Sequence, residues 1–254
     1  MTARLLRVAV TRDEPVDGPL SSALRRRGHC VVHCPVVSTA PATDAKALER
    51  AADGLERYDW LIVSSARAVD ALMGARPGRG VPAAVRTAAV GAQTAARLVS
   101  HGAISPIVAE IAGTQDLIEK LTRVGGWRGR RALMPCAAEG SREVSERLRA
   151  LGADVDEVVA YRTLARPLEE ITGAWQAGQP VAAIVTSPSA ARALAAAVGP
   201  VALAAIELIA IGPTTAAALA ELGLHARMSA RADFDSAAAT LSSIVEVMRE
   251  EQRP

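Results

Sequence analysis

The sequence predicts an α/β protein built from two similar doubly wound domains with parallel sheets, one domain inserted in the other. Three observations support this fold class: a long internal repeat, the permuted order of its pieces, and short apolar strand patterns alternating with amphipathic helical patterns. The chain has 254 residues, which is enough to bury two modest cores. Because half of the residues are apolar and only 2% are aromatic, these cores must consist mainly of Ala, Val, Leu and Ile.

One segment of the chain occurs twice. Residues 89–102 align with residues 210–223, and seven of the fourteen aligned positions are identical. Each copy indicates a buried strand, a tight glycine turn and a helix that begins on a threonine, Thr94 or Thr215. Such a turn leaves backbone N–H groups without partners at the helix N-terminus, where they can hold anions.

Two further pieces of the repeat show how the halves are arranged. Residues 59–69 match residues 181–191, and residues 8–11 and 20–28 match residues 132–135 and 144–152 at a spacing of 124. The piece that begins at residue 8 is therefore the first piece of one half, whereas its copy, which begins at residue 132, is the last piece of the other half. This order indicates two related domains, one inserted into the other, because a solenoid repeat would have a much shorter period.

The permutation predicts the domain boundaries. We expect residues 1–36 with 166–254 to form the discontinuous first domain, and residues 40–160 to form the inserted one. Two extended stretches without helical periodicity, 31–41 and 155–167, lie where the chain passes between domains. We interpret them as a two-stranded β linker.

Strand and helix patterns alternate along the chain. The predicted strands are Arg7–Thr11, Trp60–Ser64, Thr87–Val90, Ile104–Val108, Arg131–Met134, Val181–Thr186 and Glu207–Ile211. The predicted helices are Leu20–Arg27, Asp44–Arg57, Thr94–Ser100, Thr114–Val124, Ser141–Ala150, Ser189–Val198, Thr215–Leu222 and Asp235–Glu251. Short apolar strands that alternate with helices predict parallel sheets covered on both faces.

Charge and hydropathy argue against several classes of protein. The net charge of +2 favours neither a nucleic-acid partner nor a membrane surface. Residues 1–12 alternate charged and apolar side chains and lack the apolar region of a signal peptide. The longest apolar stretch, 193–211, is interrupted by Pro200 and Glu207, whereas a spanning helix needs ~18 uninterrupted apolar residues. We therefore expect a cytoplasmic protein.

The segment from His29 to Cys34 contains two cysteines and two histidines, which suggests a metal site. Its pattern predicts a strand, however, and residues four apart on a strand are separated by about 13 Å. Cys30 and Cys34 would then be too far apart to share a zinc ion at bond lengths of about 2.3 Å. We expect two half-buried thiols and no metal.

In open α/β sheets, ligands bind beyond the carboxyl ends of the strands, where strand-to-helix turns present N–H groups. The candidate substrate-binding residues in these turns are Arg12, Ser64, Ser65, Ala66, Gly91, Thr94, Ser187, Pro188, Ser189, Gly212, Thr214 and Thr215. Each hydroxyl alone is explained as an ordinary helix N-cap. The set as a whole suits a ligand with several carboxylates, held by many neutral donors.

Tyr161 is the remaining candidate for chemistry. It is one of only two tyrosines and lies on a predicted linker strand. A phenol at this position can donate a proton or a hydrogen bond to a ligand. The alternative, a tyrosine that only packs against a strand edge, is equally compatible with the pattern.

Several short motifs occur in a particular order along the chain. They are Val10-Thr11-Arg12 with Leu20-x3-Leu24-x3-Gly28, Val63-Ser64-Ser65-x-x-Ala68-Val69, Gly91-x-x-Thr94-Ala95, Ala160-Tyr161-Arg162-Thr163, Val185-Thr186-Ser187 and Gly212-Pro213-Thr214-Thr215-Ala216. In this order and spacing, from about Arg7 to Glu246, they resemble the uroporphyrinogen-III synthase family. The chain departs from the usual family pattern at Ser64, where threonine is more common, and at Ala66-Arg67.

The resemblance implies two flavodoxin-like domains joined by a two-stranded linker, with the substrate bound between them and no metal or organic cofactor. It implies cyclisation of hydroxymethylbilane, a linear polycarboxylate tetrapyrrole, to uroporphyrinogen III, with ring D inverted through a spiro intermediate. The family's serine and threonine contacts correspond to Ser65, Thr94, Ser187 and Thr215. Its proposed acid corresponds to Tyr161. We expect a monomer with a small-molecule substrate and no nucleic-acid or membrane partner.

Two other classes of protein remain open on the sequence alone. The first is a non-catalytic relative that senses a tetrapyrrole or another anion within a regulatory protein, with the polar tail 249–254 as the point where a longer relative would continue. The second is an unrelated two-domain binder of small anions. The presence of a signal peptide would favour this second class. Residues 1–12 do not resemble one.

Overall fold

The computed structural model describes residues 6–109 and 113–250, with side chains up to residue 244. The chain divides into two compact units. The outer unit comprises Met1–Ser38 and Leu164–Pro254, and the inserted unit comprises Thr39–Thr163. Both units are α/β with parallel sheets, so the predicted fold class is confirmed. The polar tail 249–254 lies outside the described side chains.

The strands, in chain order, are β1 Arg7–Val10, β2 Cys30–His33, β3 Val37–Pro41, β4 Trp60–Val63, β5 Arg86–Ala89, β6 Ile107–Val108, β7 Arg131–Ala137, β8 Asp154–Ala165, β9 Ala182–Val185, β10 Glu207–Ala210 and β11 Arg227–Met228. The α-helices are α1 Pro19–Arg26, α2 Ala45–Asp53, α3 Ala66–Gly74, α4 Ala92–Ser100, α5 Thr114–Val124, α6 Glu143–Ala150, α7 Leu168–Gly178, α8 Pro188–Val198, α9 Pro200–Ala204, α10 Pro213–Glu221 and α11 Phe234–Glu250. Among the described residues, no helix is long and apolar enough to cross a membrane.

The sheet of the outer unit has the strand order β11-β10-β9-β1-β2, and its strands run parallel. One hydrophobic core packs α7, α8 and α10 on one face, and a second core packs α1 and α11 on the other face. Because both faces are covered, the central strand β9 is apolar and buried at every position. The order places the carboxyl ends of β1, β9 and β10 side by side.

The sheet of the inserted unit has the order β3-β8-β7-β4-β5-β6. Strands β4 to β8 pair in parallel, and α2, α3 and α4 pack on one face while α5 and α6 pack on the other. β4 is buried at all four positions and lies between β5 and β7. The register between β7 and β8 shifts at Cys136 and Ala137, which places Tyr161 opposite Ala137.

Several local predictions differ from the structure. The stretch 31–41 is two strands and not one, because Pro35 lacks the N–H group that a continuous ladder needs. Helix α3 was absent from the predicted helices, although Ser64, Ser65 and Ala66 were predicted to lie in a strand-to-helix turn. Helix α7 was also missed, because it contains Thr172 and Gly173 and buries only Ile171, which leaves little helical periodicity.

Candidate functional site

Most of the candidate residues follow the carboxyl ends of neighbouring strands within each unit. In the inserted unit, β4 leads into Ser64–Ala66 and β5 leads into Gly91 and Thr94. In the outer unit, the adjacent strands β9 and β10 lead into their own turns in the same way. Each sheet therefore brings two strand-to-helix turns next to each other.

Ser65 is the N-cap of α3. Its backbone is extended, and its Oγ accepts a hydrogen bond from the N–H of Ala68 at 3.2 Å. The same Oγ lies 3.1 Å from the hydroxyl of Tyr161, and either group can donate in that pair. The structure thus joins two candidate residues that are 96 positions apart in the chain. Ser64 beside them is exposed, and Ala66 is the first residue of the helix.

Tyr161 lies on the wall of a cavity of about 460 Å³ within the inserted unit. Its ring is half-buried and packs against the core beneath α2, α3 and α4, while its hydroxyl reaches Ser65. The polar side chains that line the cavity are Thr39, Arg67 and Asp70, and Asp70 also forms an ion pair with Arg97. Tyr161 therefore combines a ring packed on the core, a hydroxyl paired with Ser65 and a place in the cavity wall.

The turn after β5 differs from its prediction. Helix α4 begins at Ala92, with Gly91 as its N-cap, so Thr94 is the third helical residue and not the cap. Thr94 is 6% exposed, and no side chain caps the helix. A Cβ atom added to Gly91 would meet nothing within 4 Å, so open space adjoins these N-terminal amides.

The outer unit repeats the serine turn with a different neighbour. Ser187 is the extended N-cap of α8 and accepts a hydrogen bond from the N–H of Ala190 at 3.1 Å. Its Oγ lies 3.0 Å from the Oγ of Ser189, whereas the Oγ of Ser65 contacts Tyr161. Pro188 is the first residue of the helix, where a missing N–H group costs nothing.

The glycine turn is also repeated in the outer unit. Gly212 is the extended N-cap of α10, which no side chain caps. Thr214 is exposed, whereas Thr215 is the third helical residue and only 2% exposed. The prediction that the helix begins at Thr215 was wrong for the same reason as at Thr94. The glycine itself adopts the N-cap conformation and starts the helix earlier.

Arg12 follows β1 and contacts a residue that the sequence analysis missed. Its Nε lies 3.4 Å from the carboxylate of Glu14, and its guanidinium stacks on the ring of Phe234 at 4.2 Å. The Glu14 carboxylate accepts hydrogen bonds from the N–H and the Oγ of Ser21, both at 2.7 Å. The side chain of Glu14 is only 2% exposed. An internal carboxylate thus occupies the N-terminus of α1. Glu14 reaches this helix start because the loop of residues 13–18 folds back. The path of such a loop is not encoded in any hydrophobic periodicity, so the sequence did not predict the contact.

The cysteine and histidine segment does not form a metal site. Cys30 is exposed and Cys34 is fully buried, so the expectation of two half-buried thiols was wrong. Burial raises the pKa of Cys34 to about 11. Among the residues that the structure describes, no three His, Cys, Asp or Glu side chains are grouped so that they could hold a metal ion.

Comparison with known proteins identifies the family. The family model described as HEM4, Uroporphyrinogen-III synthase HemD, matches residues 18–239. The chain belongs to the uroporphyrinogen-III synthase family. A uroporphyrinogen-III synthase of Synechococcus elongatus is 29% identical over 162 residues, which are 61% of this chain and 60% of that relative. The aligned part therefore spans less than two thirds of the relative's length.

Two solved structures of uroporphyrinogen III synthases share the fold. A mutant enzyme from Thermus thermophilus aligns over 96% of this chain and 99% of its own, with 18% identity and a TM-score of 0.63. The Helicobacter pylori protein aligns over 94% of this chain and 100% of its own, with 17% identity and a TM-score of 0.61. At these identities the alignments show the α/β fold, and the family model carries the assignment to the family.

Proposed function

We propose that this protein is a uroporphyrinogen-III synthase, which cyclises hydroxymethylbilane to uroporphyrinogen III and releases water. The observation that carries the proposal is the contact between Ser65 and Tyr161 at the N-terminus of α3, in a chain that belongs to this family. We further propose that the protein acts as a cytoplasmic monomer without a metal or organic cofactor, as the family resemblance implies.

The proposed reaction begins with loss of the terminal hydroxyl group. Tyr161 donates its proton to this group, which leaves as water, and a cationic azafulvene forms on ring A. The substituted α-carbon of ring D attacks the ring A carbon that lost the hydroxyl group, and the spiro intermediate forms. The bond from ring D to its original bridge then breaks, and the bridge carbon rejoins at the free α-carbon of ring D. The proton lost from that carbon restores the phenol, so water is the only by-product.

Helix N-termini supply the proposed binding of the substrate carboxylates. Backbone N–H groups in the first turn of a helix lack intrahelical acceptors and favour anions. The turns before α3, α4, α8 and α10 each present such groups. The proposed substrate contacts are Arg12, Ser64, Ser65, Ala66, Gly91, Thr94, Ser187, Pro188, Ser189, Gly212, Thr214 and Thr215.

Positioning is the larger part of the proposed catalysis. Hydroxymethylbilane also closes without an enzyme, but to the symmetrical isomer, so the protein must hold ring D in the conformation that favours attack by its substituted carbon. Many weak donors spread over a flexible substrate can control conformation in this way. Proton donation by Tyr161 is then the single acid step that the protein supplies.

The decisive test supplies freshly generated hydroxymethylbilane to the purified protein and separates the product isomers after oxidation. We expect uroporphyrinogen III at a rate far above the spontaneous formation of the symmetrical isomer, and the same rate after exhaustive dialysis against a chelator. If only the symmetrical isomer forms, the enzyme assignment is wrong. Saturable tetrapyrrole binding without turnover would instead support a sensor.

A further inference from the structure

We propose that Ser65 is a positioning residue for Tyr161: its hydroxyl donates a hydrogen bond to the phenol oxygen and directs the phenol proton away from the helix, toward the substrate. This inference rests on the proposed function, since it specifies how the proposed acid is prepared. It gives Ser65 a role beyond that of a substrate contact.

The hydrogen bonds around Ser65 are compatible with this direction of donation. A serine hydroxyl has one proton and two acceptor lone pairs. The N–H of Ala68 donates to the Ser65 Oγ at 3.2 Å, which uses one lone pair and holds the side chain in place. The serine proton remains available, and the Tyr161 oxygen at 3.1 Å is within reach.

This arrangement assists an acid during proton transfer. When Tyr161 gives up its proton, negative charge develops on the phenol oxygen, and a donor already aimed at that oxygen gains strength as the charge grows. The hydrogen bond is therefore stronger in the transition state than in the ground state. Such an interaction affects kcat more than substrate binding.

The internal repeat supplies a matched control. Ser187 caps α8 as Ser65 caps α3, with an accepted hydrogen bond of 3.1 Å from the N–H of Ala190. Its second contact is Ser189 and not a tyrosine. Any consequence of losing a helix cap should appear at both positions, whereas coupling to a phenol should appear only at Ser65.

The experiment is a double-mutant cycle in the full-length protein. Ser65→Gly removes the hydroxyl but leaves a residue that is tolerated as an N-cap, so the fold is retained. We expect Ser65→Gly to lower kcat about tenfold in the wild-type background and to have little further effect when Tyr161→Phe is present. Ser65→Thr keeps a hydroxyl and should restore most of the loss. Ser187→Gly should act additively with Tyr161→Phe and mainly raise KM.

A second measurement does not depend on turnover. Labelling the tyrosine ring carbon that bears the hydroxyl with ¹³C gives two resonances, one from Tyr58 and one from Tyr161. Tyr161→Phe identifies the Tyr161 signal. We expect Ser65→Gly to shift that signal and to leave the Tyr58 signal in place.

Two results would overturn the proposal. One is an equal loss of activity from Ser65→Gly with and without the Tyr161 hydroxyl, which would mean that Ser65 acts on the substrate directly. The other is a Tyr161 resonance that does not move. If the wild-type protein forms no uroporphyrinogen III, the proposed function fails together with the kinetic part of this inference, and the resonance still decides whether the two hydroxyls are paired.

Discussion

The two units carry the same pair of helix starts but differ in what surrounds them. Each has a serine-capped helix beside a glycine-capped helix, at Ser65 and Gly91 in the inserted unit and at Ser187 and Gly212 in the outer unit. Only the serine of the inserted unit contacts a tyrosine. Under the proposed function, the shared turns bind the substrate and the added phenol of the inserted unit supplies the acid.

Helices α1 and α6 form a second pair of equivalent helices, and each has a buried serine in its first turn. Ser21 and Ser145 occupy equivalent positions in the repeat, each the third residue of its helix and each fully buried. Both hydroxyls donate to a carboxylate of the protein itself, Glu14 for Ser21 and Glu157 for Ser145. At α1 the carboxylate of Glu14 also accepts from the N–H of Ser21, so this helix start is engaged internally, which separates it from the four proposed for substrate binding.

The largest expected effect comes from Tyr161→Phe, which makes the serine turn of the inserted unit resemble that of the outer unit. The ring is kept, so the fold should not change, but the proposed acid is lost. We expect kcat to fall on the order of tenfold to a hundredfold, with a smaller change in KM. Steady-state kinetics with isomer analysis measures this.

Tyr58→Phe is the control for that prediction. The Tyr58 hydroxyl donates to Asp156 at 2.7 Å, and its pKa is raised to about 12, chiefly by burial. Its loss should lower stability and leave kcat near that of the wild type. Wild-type turnover in Tyr161→Phe would show that the acid lies elsewhere.

The second prediction concerns the internally engaged helix start of the outer unit. Glu14→Ala leaves the amide and hydroxyl of Ser21 without their acceptor and removes the ion pair between Glu14 and Arg12. We expect a loss of about 2 kcal/mol in the free energy of unfolding, because the groups are buried. Urea denaturation measures it. Glu221→Ala, at a side chain 71% exposed, should change stability little, and equal losses at the two sites would contradict the interpretation.

The third prediction tests whether the glycine-capped helix starts bind carboxylates. Both glycines are extended, and an added Cβ would meet nothing within 4 Å at Gly91 and only Ala232 at 3.8 Å at Gly212. Gly91→Ala and Gly212→Ala should therefore fold normally while obstructing the approach of an anion to the amides. We expect each to weaken product binding about tenfold by calorimetry, since hydrogen bonds to charged groups are strong. Unchanged affinity in both variants would remove these turns from the proposed site.

The smallest expected effect is a pH dependence confined to the outer unit. Burial, together with the nearby Arg27, lowers the pKa of His29 below 6.5, so the folded state favours the neutral ring. The unfolded state then binds more protons, and stability should fall as the pH drops below about 6.5. The equivalent residue of the inserted unit is Ala153. Hydrogen exchange at pH 7 and pH 5 should show the loss in the outer unit, and His29→Ala should abolish it.

The long repeat and its permuted order were sufficient to predict the fold class, because alternating apolar strands and amphipathic helices can bury their surfaces only in covered parallel sheets. Element ends were less predictable. Both threonine starts were placed two residues late, although Pro213 at the first helical position of α10 is a signal that favours the earlier start. Helix α7 was missed because its burial is slight and its periodicity weak.

The sequence by itself determined which turns would hold helix N-termini and that Tyr161 lies on an extended strand, because local propensity and hydrophobic period are encoded within short segments. The tertiary structure alone decided which side chains meet. The contact of Tyr161 with Ser65 follows from the register of β8 and the order of β7 and β4 in the sheet. The occupation of the α1 N-terminus by Glu14 follows from the path of one loop. Contacts of this kind join residues across the fold, and no periodicity within either segment specifies the partner.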